Sequence, residues 1–121
     1  MSEFTIYHNP RCTKSRATLA LLERHGIQPR IVEYLKTPPT ARELTEILGK
    51  LGIEAEALVR KGEDVYKTRY SGKQLTGAQW IAAMVKDPVL IERPIVVSGT
   101  RAVIGRPPEN VETLLGAKRP R

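Results

Sequence analysis

The sequence predicts an α/β fold: a four-stranded mixed sheet with helices on both faces, and a helical insertion between a βαβ half and a ββα half. Three observations carry this. β-prone runs stand at both ends of the chain, at Phe4-Thr5-Ile6-Tyr7, Arg30-Ile31-Val32-Glu33-Tyr34, Pro94-Ile95-Val96-Val97 and Ala102-Val103-Ile104. A helical pattern separates the first two, so they pair in parallel through a crossover. Only Ser98-Gly99-Thr100-Arg101 joins the last two, so they form an antiparallel hairpin.

Each element follows from local chemistry. The first strand stops at the turn signal His8-Asn9-Pro10. A helix is expected from Thr13 to about His25, with Thr18, Leu21 and Leu22 on one face and Gly26 as its stop. Pro38-Pro39 breaks the chain after the second strand. Thr40-Ala41-Arg42-Glu43 then has the spacing of a capping box, where hydroxyl and carboxylate each satisfy an orphan amide. Leu44, Ile47, Leu48 and Leu51 follow at helical spacing. A short helix is expected from Glu54 to about Arg60, ahead of Gly62. Thr76-Gly77-Ala78-Gln79 repeats the capping box and opens a helix that turns Trp80, Ile81, Met84 and Val85 inward, closed by Asp87-Pro88. Pro107-Pro108 starts a last helix with Val111, Leu114 and Leu115 inward. The order βαβ, helices, ββα is a thioredoxin-like layout.

With 121 residues, 40% hydrophobic and 27% charged, the chain has the composition of one globular domain. We place that domain at residues 1–117, with the insertion at about 40–88 and a basic tail at 118–121. No run approaches the roughly 18 apolar residues of a membrane span, and Met1-Ser2-Glu3-Phe4 does not open a secretory signal. The net charge is +7, and Lys118, Arg119 and Arg121 supply part of it from the tail. Phe4 and Trp80 sit in apolar patterns rather than among basic residues, which argues against a stacking surface for nucleic acid. A reduced, cytoplasmic monomer without nucleic-acid or membrane partners is the expectation.

The single cysteine, Cys12, excludes an internal disulfide and a multi-thiolate zinc site. His8, Cys12 and His25 lack metal-ligand spacing, so no metal is expected. A lone cysteine is usually a small buried hydrophobe. Cys12, however, lies between a strand end and a helix start among Arg11, Lys14 and Arg16. Helix-end amides and nearby cations lower a thiol pKa, which makes Cys12 a candidate nucleophile. The amides of Thr13, Lys14 and Ser15 also form a cradle for an anion. Two familiar chemistries are absent. Residue 18 is Thr18, so there is no Cys-x5-Arg phosphatase loop; residue 15 is Ser15, so there is no Cys-x-x-Cys pair. Ser15 can hydrogen-bond the thiolate or serve the first helical turn. His8 either supports the thiolate or merely ends its strand.

The run His8-Asn9-Pro10-Arg11-Cys12-Thr13-Lys14-Ser15-Arg16 resembles the active-site loop of the glutaredoxin-coupled arsenate reductase (ArsC) family. Glu92-Arg93-Pro94-Ile95-Val96-Val97 and Gly105-Arg106-Pro107-Pro108-Glu109 resemble that family's later motifs, in its order and spacing, and the likeness covers residues 4 to 115. The Arg-Cys-x-Lys-Ser form is similar to the chromosomal subgroup. The resemblance implies that Cys12 is the nucleophile and that Arg60, Arg93 and Arg106 bind the oxyanion. Guanidinium groups suit a doubly charged arsenate because they pair with its oxygens in bidentate fashion. It also implies a cis peptide before Pro94, glutathione as co-substrate, glutaredoxin as partner, and no bound cofactor. Two other readings remain: a Spx-type regulator that binds RNA polymerase, and a thiol or oxyanion-binding protein with another substrate.

Overall fold

A computed structural model describes residues 4–118. The expected basic tail therefore lies, beyond Lys118, outside the described residues. By packing, the chain forms two compact units: residues up to Tyr34 together with those from Arg93, and Leu35–Glu92.

The first unit holds four strands: β1 (Phe4–His8), β2 (Arg30–Glu33), β3 (Ile95–Ser98) and β4 (Arg101–Ile104). Their order is β2-β1-β3-β4, with β1 parallel to β2 and β3 antiparallel to both β1 and β4. This is the expected mixed sheet. Gly99 makes the hairpin turn at φ 62°, a backbone conformation that glycine adopts without a Cβ penalty. The register decides what meets at one end of the sheet. His8 ends β1, Tyr7 pairs with Ile95 at the start of β3, and Ile95 pairs with Ile104 at the end of β4. The segments 8–12, 93–94 and 105–106 therefore leave the sheet at the same end.

Helix α1 (Thr13–Arg24) and the C-terminal helix α5 (Glu112–Lys118) pack on one core with the sheet. Phe4 and Ile6 of β1, Val96 of β3, Leu21 and Leu22 of α1, and Val111, Leu114 and Leu115 are its buried members. Alternation along β1 and i, i+3, i+4 spacing at Val111 produce this face. α5 is preceded by a 3-10 turn at Pro108–Val111, so the last helical stretch opens more tightly wound than a plain α-helix. The Arg93–Pro94 peptide is cis, and so is Arg106–Pro107.

In the second unit, α2 (Ala41–Leu51) and α4 (Gly77–Lys86) both carry complete capping boxes, Thr40 with Glu43 and Thr76 with Gln79. α2 buries Leu44, Ile47 and Leu48. α4 buries Trp80, Ala83 and Met84, while Ile81 and Val85 are only half-buried. The helix is thus rotated slightly from the face its largest side chains suggest. The expected helix at 54–60 is a shorter 3-10 turn, Ala55–Leu58. Val59 leaves it in extended conformation and bridges Ile91, with Arg60 N–H donating to Leu90 O and Glu92 N–H to Leu58 O. Another helix, α3 (Asp64–Arg69), had no apolar periodicity to announce it and buries none of its residues. Rings hold this region instead: Tyr66 stacks on Trp80 at 6.2 Å, Tyr70 tilts against the same indole, and the Tyr70 hydroxyl donates to Asp87 at 2.8 Å. Among the described residues no helix is long and apolar enough to cross a membrane.

Two substitutions separate these contributions. Leu22 is fully buried in the sheet core, so Leu22→Ala should lower stability by about 2–5 kcal/mol in a urea titration. Thr76→Ala removes one exposed cap and should cost about 1 kcal/mol. A Leu22→Ala loss no larger than that of Thr76→Ala would contradict the core assignment.

Candidate active site

Residues 8–16 are tied down by their own polar groups. Asn9 O accepts from Cys12 N–H at 2.9 Å, closing a β-turn with Pro10 in the position where its fixed φ helps. The Asn9 side chain accepts from Arg11 N–H at 3.0 Å, an Asx-turn laid over the same residues. Arg16 reaches back to donate to Pro10 O at 2.9 Å. Ser15, fully buried, accepts from Asn9 N–H at 3.0 Å and meets His8 Nδ1 at 2.6 Å. Arg16 is thereby a loop brace, and its charge bears on His8.

Cys12 occupies the N-cap position of α1, where Ser, Thr, Asp or Asn would ordinarily accept a backbone hydrogen bond. Its side chain completes no cap hydrogen bond, and the first turn holds no acidic residue. The start of α1 therefore keeps its positive end for the sulfur. Burial pushes the thiol pKa up, but the backbone amides of Ser15 and Lys14 and the Arg93 side chain, as donor and as charge, together pull it below its ordinary value. The cysteine is half-buried, with exposed Arg11 and Lys14 around it.

Of the expected thiolate-supporting pair, Ser15 faces the sulfur with its backbone amide, and its hydroxyl is turned to His8 and Asn9. Burial lowers the His8 pKa, against the attraction of Glu33 and with the repulsion of Arg16. A neutral ring is thus favoured near neutral pH, and its Nδ1 meets the Ser15 hydroxyl. Arg93 and Arg106 flank a single backbone bond, Gly105 N–H to Pro94 O at 2.8 Å, at the sheet end where Cys12 stands. Arg60 belongs to the second unit. There its Nε lies 3.2 Å from Glu63 Oε2 and its Nη1 3.8 Å from Glu92 Oε1, so two carboxylates hold the guanidinium. Glu63, Glu92, Asn9 and Thr18 were not singled out as site residues by sequence. The Asn-Pro turn signal points at Asn9, Glu92 opens the second family motif and Thr18 lies on the inner face of the first helix, but nothing in the sequence marks Glu63. Among the described residues no group of three His, Cys, Asp or Glu side chains is gathered as metal ligands.

The family model described as the ArsC family matches residues 7–114. The chain belongs to the ArsC family. An "Arsenate reductase" of Neisseria meningitidis is 44% identical over 117 residues, covering 95% of this chain and 100% of the relative. An Escherichia coli K12 protein named only as the uncharacterized YfgD is 49% identical over 113 residues, covering 92% and 95%. A solved structure described as an arsenate reductase from Vibrio cholerae superposes with a TM-score of 0.88 at 48% identity, over 91% of this chain and 95% of that one. The thioredoxin-like sheet of this ArsC chain is thus shared with its family.

Thiol ionisation tests this geometry directly. The alkylation rate of Cys12 against pH should have its midpoint below that of a simple thiol. Arg93→Ala removes a donor and a positive charge from the thiolate, so the midpoint should move up and alkylation at pH 7 should slow. A midpoint unmoved by Arg93→Ala would separate that arginine from the sulfur.

Proposed function

We propose that this chain reduces arsenate to arsenite, with Cys12 as the nucleophile and glutathione and glutaredoxin as the source of electrons. The observation that carries the reading is the convergence on one sulfur of two helix-end amides and the Arg93 side chain. Such a setting favours a thiolate and places fixed donors where an oxyanion's charge would sit. Family membership and the names of its relatives support the substrate.

In the first step the Cys12 thiolate attacks arsenic and an arsenate oxygen leaves as water, giving a thiol–arsenic(V) ester. Arg93 and Arg106 hold the remaining oxygens; the family resemblance gives Arg60 the same task. The glutathione thiolate then attacks the Cys12 sulfur. The sulfur–arsenic bond breaks, its electron pair stays on arsenic, and arsenite leaves with arsenic in the trivalent state. Two thiols have become one mixed disulfide, which balances the two electrons gained by arsenic. Glutaredoxin attacks the glutathione sulfur of that disulfide and releases Cys12. The need for an outside thiol follows from the count, since Cys12 is the only cysteine in the sequence.

The test is NADPH oxidation coupled through glutathione reductase, with arsenate, glutathione and glutaredoxin present. Wild type should turn over and Cys12→Ser should not. Omitting glutaredoxin should trap one glutathione on Cys12, visible by mass spectrometry. Full turnover on thioredoxin and its reductase without glutathione would overturn the mechanism. Replacing Arg106 by Ala should raise the KM for arsenate by about tenfold or more, since it removes a charge-assisted contact to the anion.

A further inference from the structure

We propose that Thr18 is a positioning residue, which locks the two arginine-bearing segments of the first unit onto the helix that presents Cys12. Thr18 is fully buried six residues into α1 from Cys12, and Lys14, whose amide faces the sulfur, lies between them. Its Oγ1 donates to Lys14 O at 2.8 Å and also approaches Gly105 O at 3.3 Å. One hydroxyl therefore spans the first turn of α1 and the exit of β4.

Gly105 explains why that approach is possible. Its φ is not positive, so glycine is not required there by backbone conformation. Space requires it. A Cβ at this position would stand 2.6 Å from Thr18 Oγ1, 3.0 Å from Thr18 Cγ2 and 3.0 Å from Pro94 Cγ. Gly26, Gly49, Gly52, Gly62, Gly72, Gly77 and Gly99 all have open space at the same position. The three residues meet at one closely packed joint, also held by the bond from Gly105 N–H to Pro94 O. Arg93 precedes Pro94 and Arg106 follows Gly105, so both guanidinium groups hang from this joint by one residue each. Moving the joint relative to α1 moves both arginines relative to the sulfur. Displacements of this kind, small and away from the reacting atoms, are costly because reactivity depends steeply on geometry.

The inference rests on the arsenate-reductase reading for what the arginines hold, but not for its test. Gly105→Ala should retain the fold, shown by its near-ultraviolet circular dichroism, while the midpoint of Cys12 alkylation moves up. Its KM for arsenate should rise about tenfold or more. Thr18→Ala clears the hydroxyl and methyl that the new Cβ would strike, so the double variant Gly105→Ala/Thr18→Ala should recover thermal stability relative to Gly105→Ala alone. Thr18→Ala by itself should raise the alkylation midpoint, and Thr18→Ser, which keeps Oγ1, should leave it near wild type. A folded Gly105→Ala with wild-type midpoint and KM overturns the proposal. If Gly105→Ala does not fold, the Thr18 pair decides: equal midpoints in Thr18→Ala and wild type overturn it. A wild-type chain inert toward arsenate would defeat the functional reading, and the midpoint would still judge Thr18.

Discussion

Desolvation opposes a charged sulfur at residue 12, and the opposition is met by donors that the fold itself sets around it. Two of them are the Lys14 and Ser15 amides in the first turn of α1, which face the sulfur because Cys12 takes the cap position. The third is Arg93, carried on the loop that enters β3. The rest of the first unit serves to keep these three sources together. β1 ends at His8, the Asn9-Pro10 turn folds the chain back, and the register of β3 and β4 returns residues 93 and 106 to the same edge. A helix with an ordinary aspartate cap would be more self-sufficient and would have less to offer a thiolate.

His8 illustrates how the local network divides its work. Its ring meets the Ser15 hydroxyl, which also accepts the Asn9 amide, so the three residues brace one another beneath the loop. Burial favours the neutral imidazole. As pH falls from the ordinary histidine range through the lowered folded value, the unfolded chain takes up the proton first, and this group's contribution to stability declines. The charges around the sulfur come instead from arginine, which does not titrate in that range.

Much of this was legible in sequence where a residue's effect is local. Capping boxes at Thr40 and Thr76, the stop at Gly26, the hairpin at Gly99 and the core stripe of α5 each depend on a few neighbours, and each stands where spacing put it. Cys12 was legible for the same reason, since the strand end, the turn and the cations lie within a few residues of it. What escaped was decided at long range. Val59 pairs with Ile91, which drew the 54–60 segment out of a helix. α3 has no apolar stripe because its neighbour Trp80 supplies the aromatic surface. Thr18 looked like one more residue on the inner face of α1, because its partner Gly105 lies 87 positions away.

The discontinuity of the first unit bears on the order in which it can be made. During synthesis β1, α1 and β2 emerge first, followed by all of Leu35–Glu92, and only then by the strands that complete the sheet. β1, the central strand on which Phe4 awaits Ser98, has one edge without its native neighbour until nearly the whole chain exists. Closing so long a loop is entropically slow, and an incomplete apolar strand edge is a template for pairing with other chains. The helical segment, with both of its capped helices local in sequence, has no such wait. The nascent protein therefore passes through an interval in which the segment carrying Cys12 is attached to a half-built sheet, and crowding of nascent copies is most hazardous then.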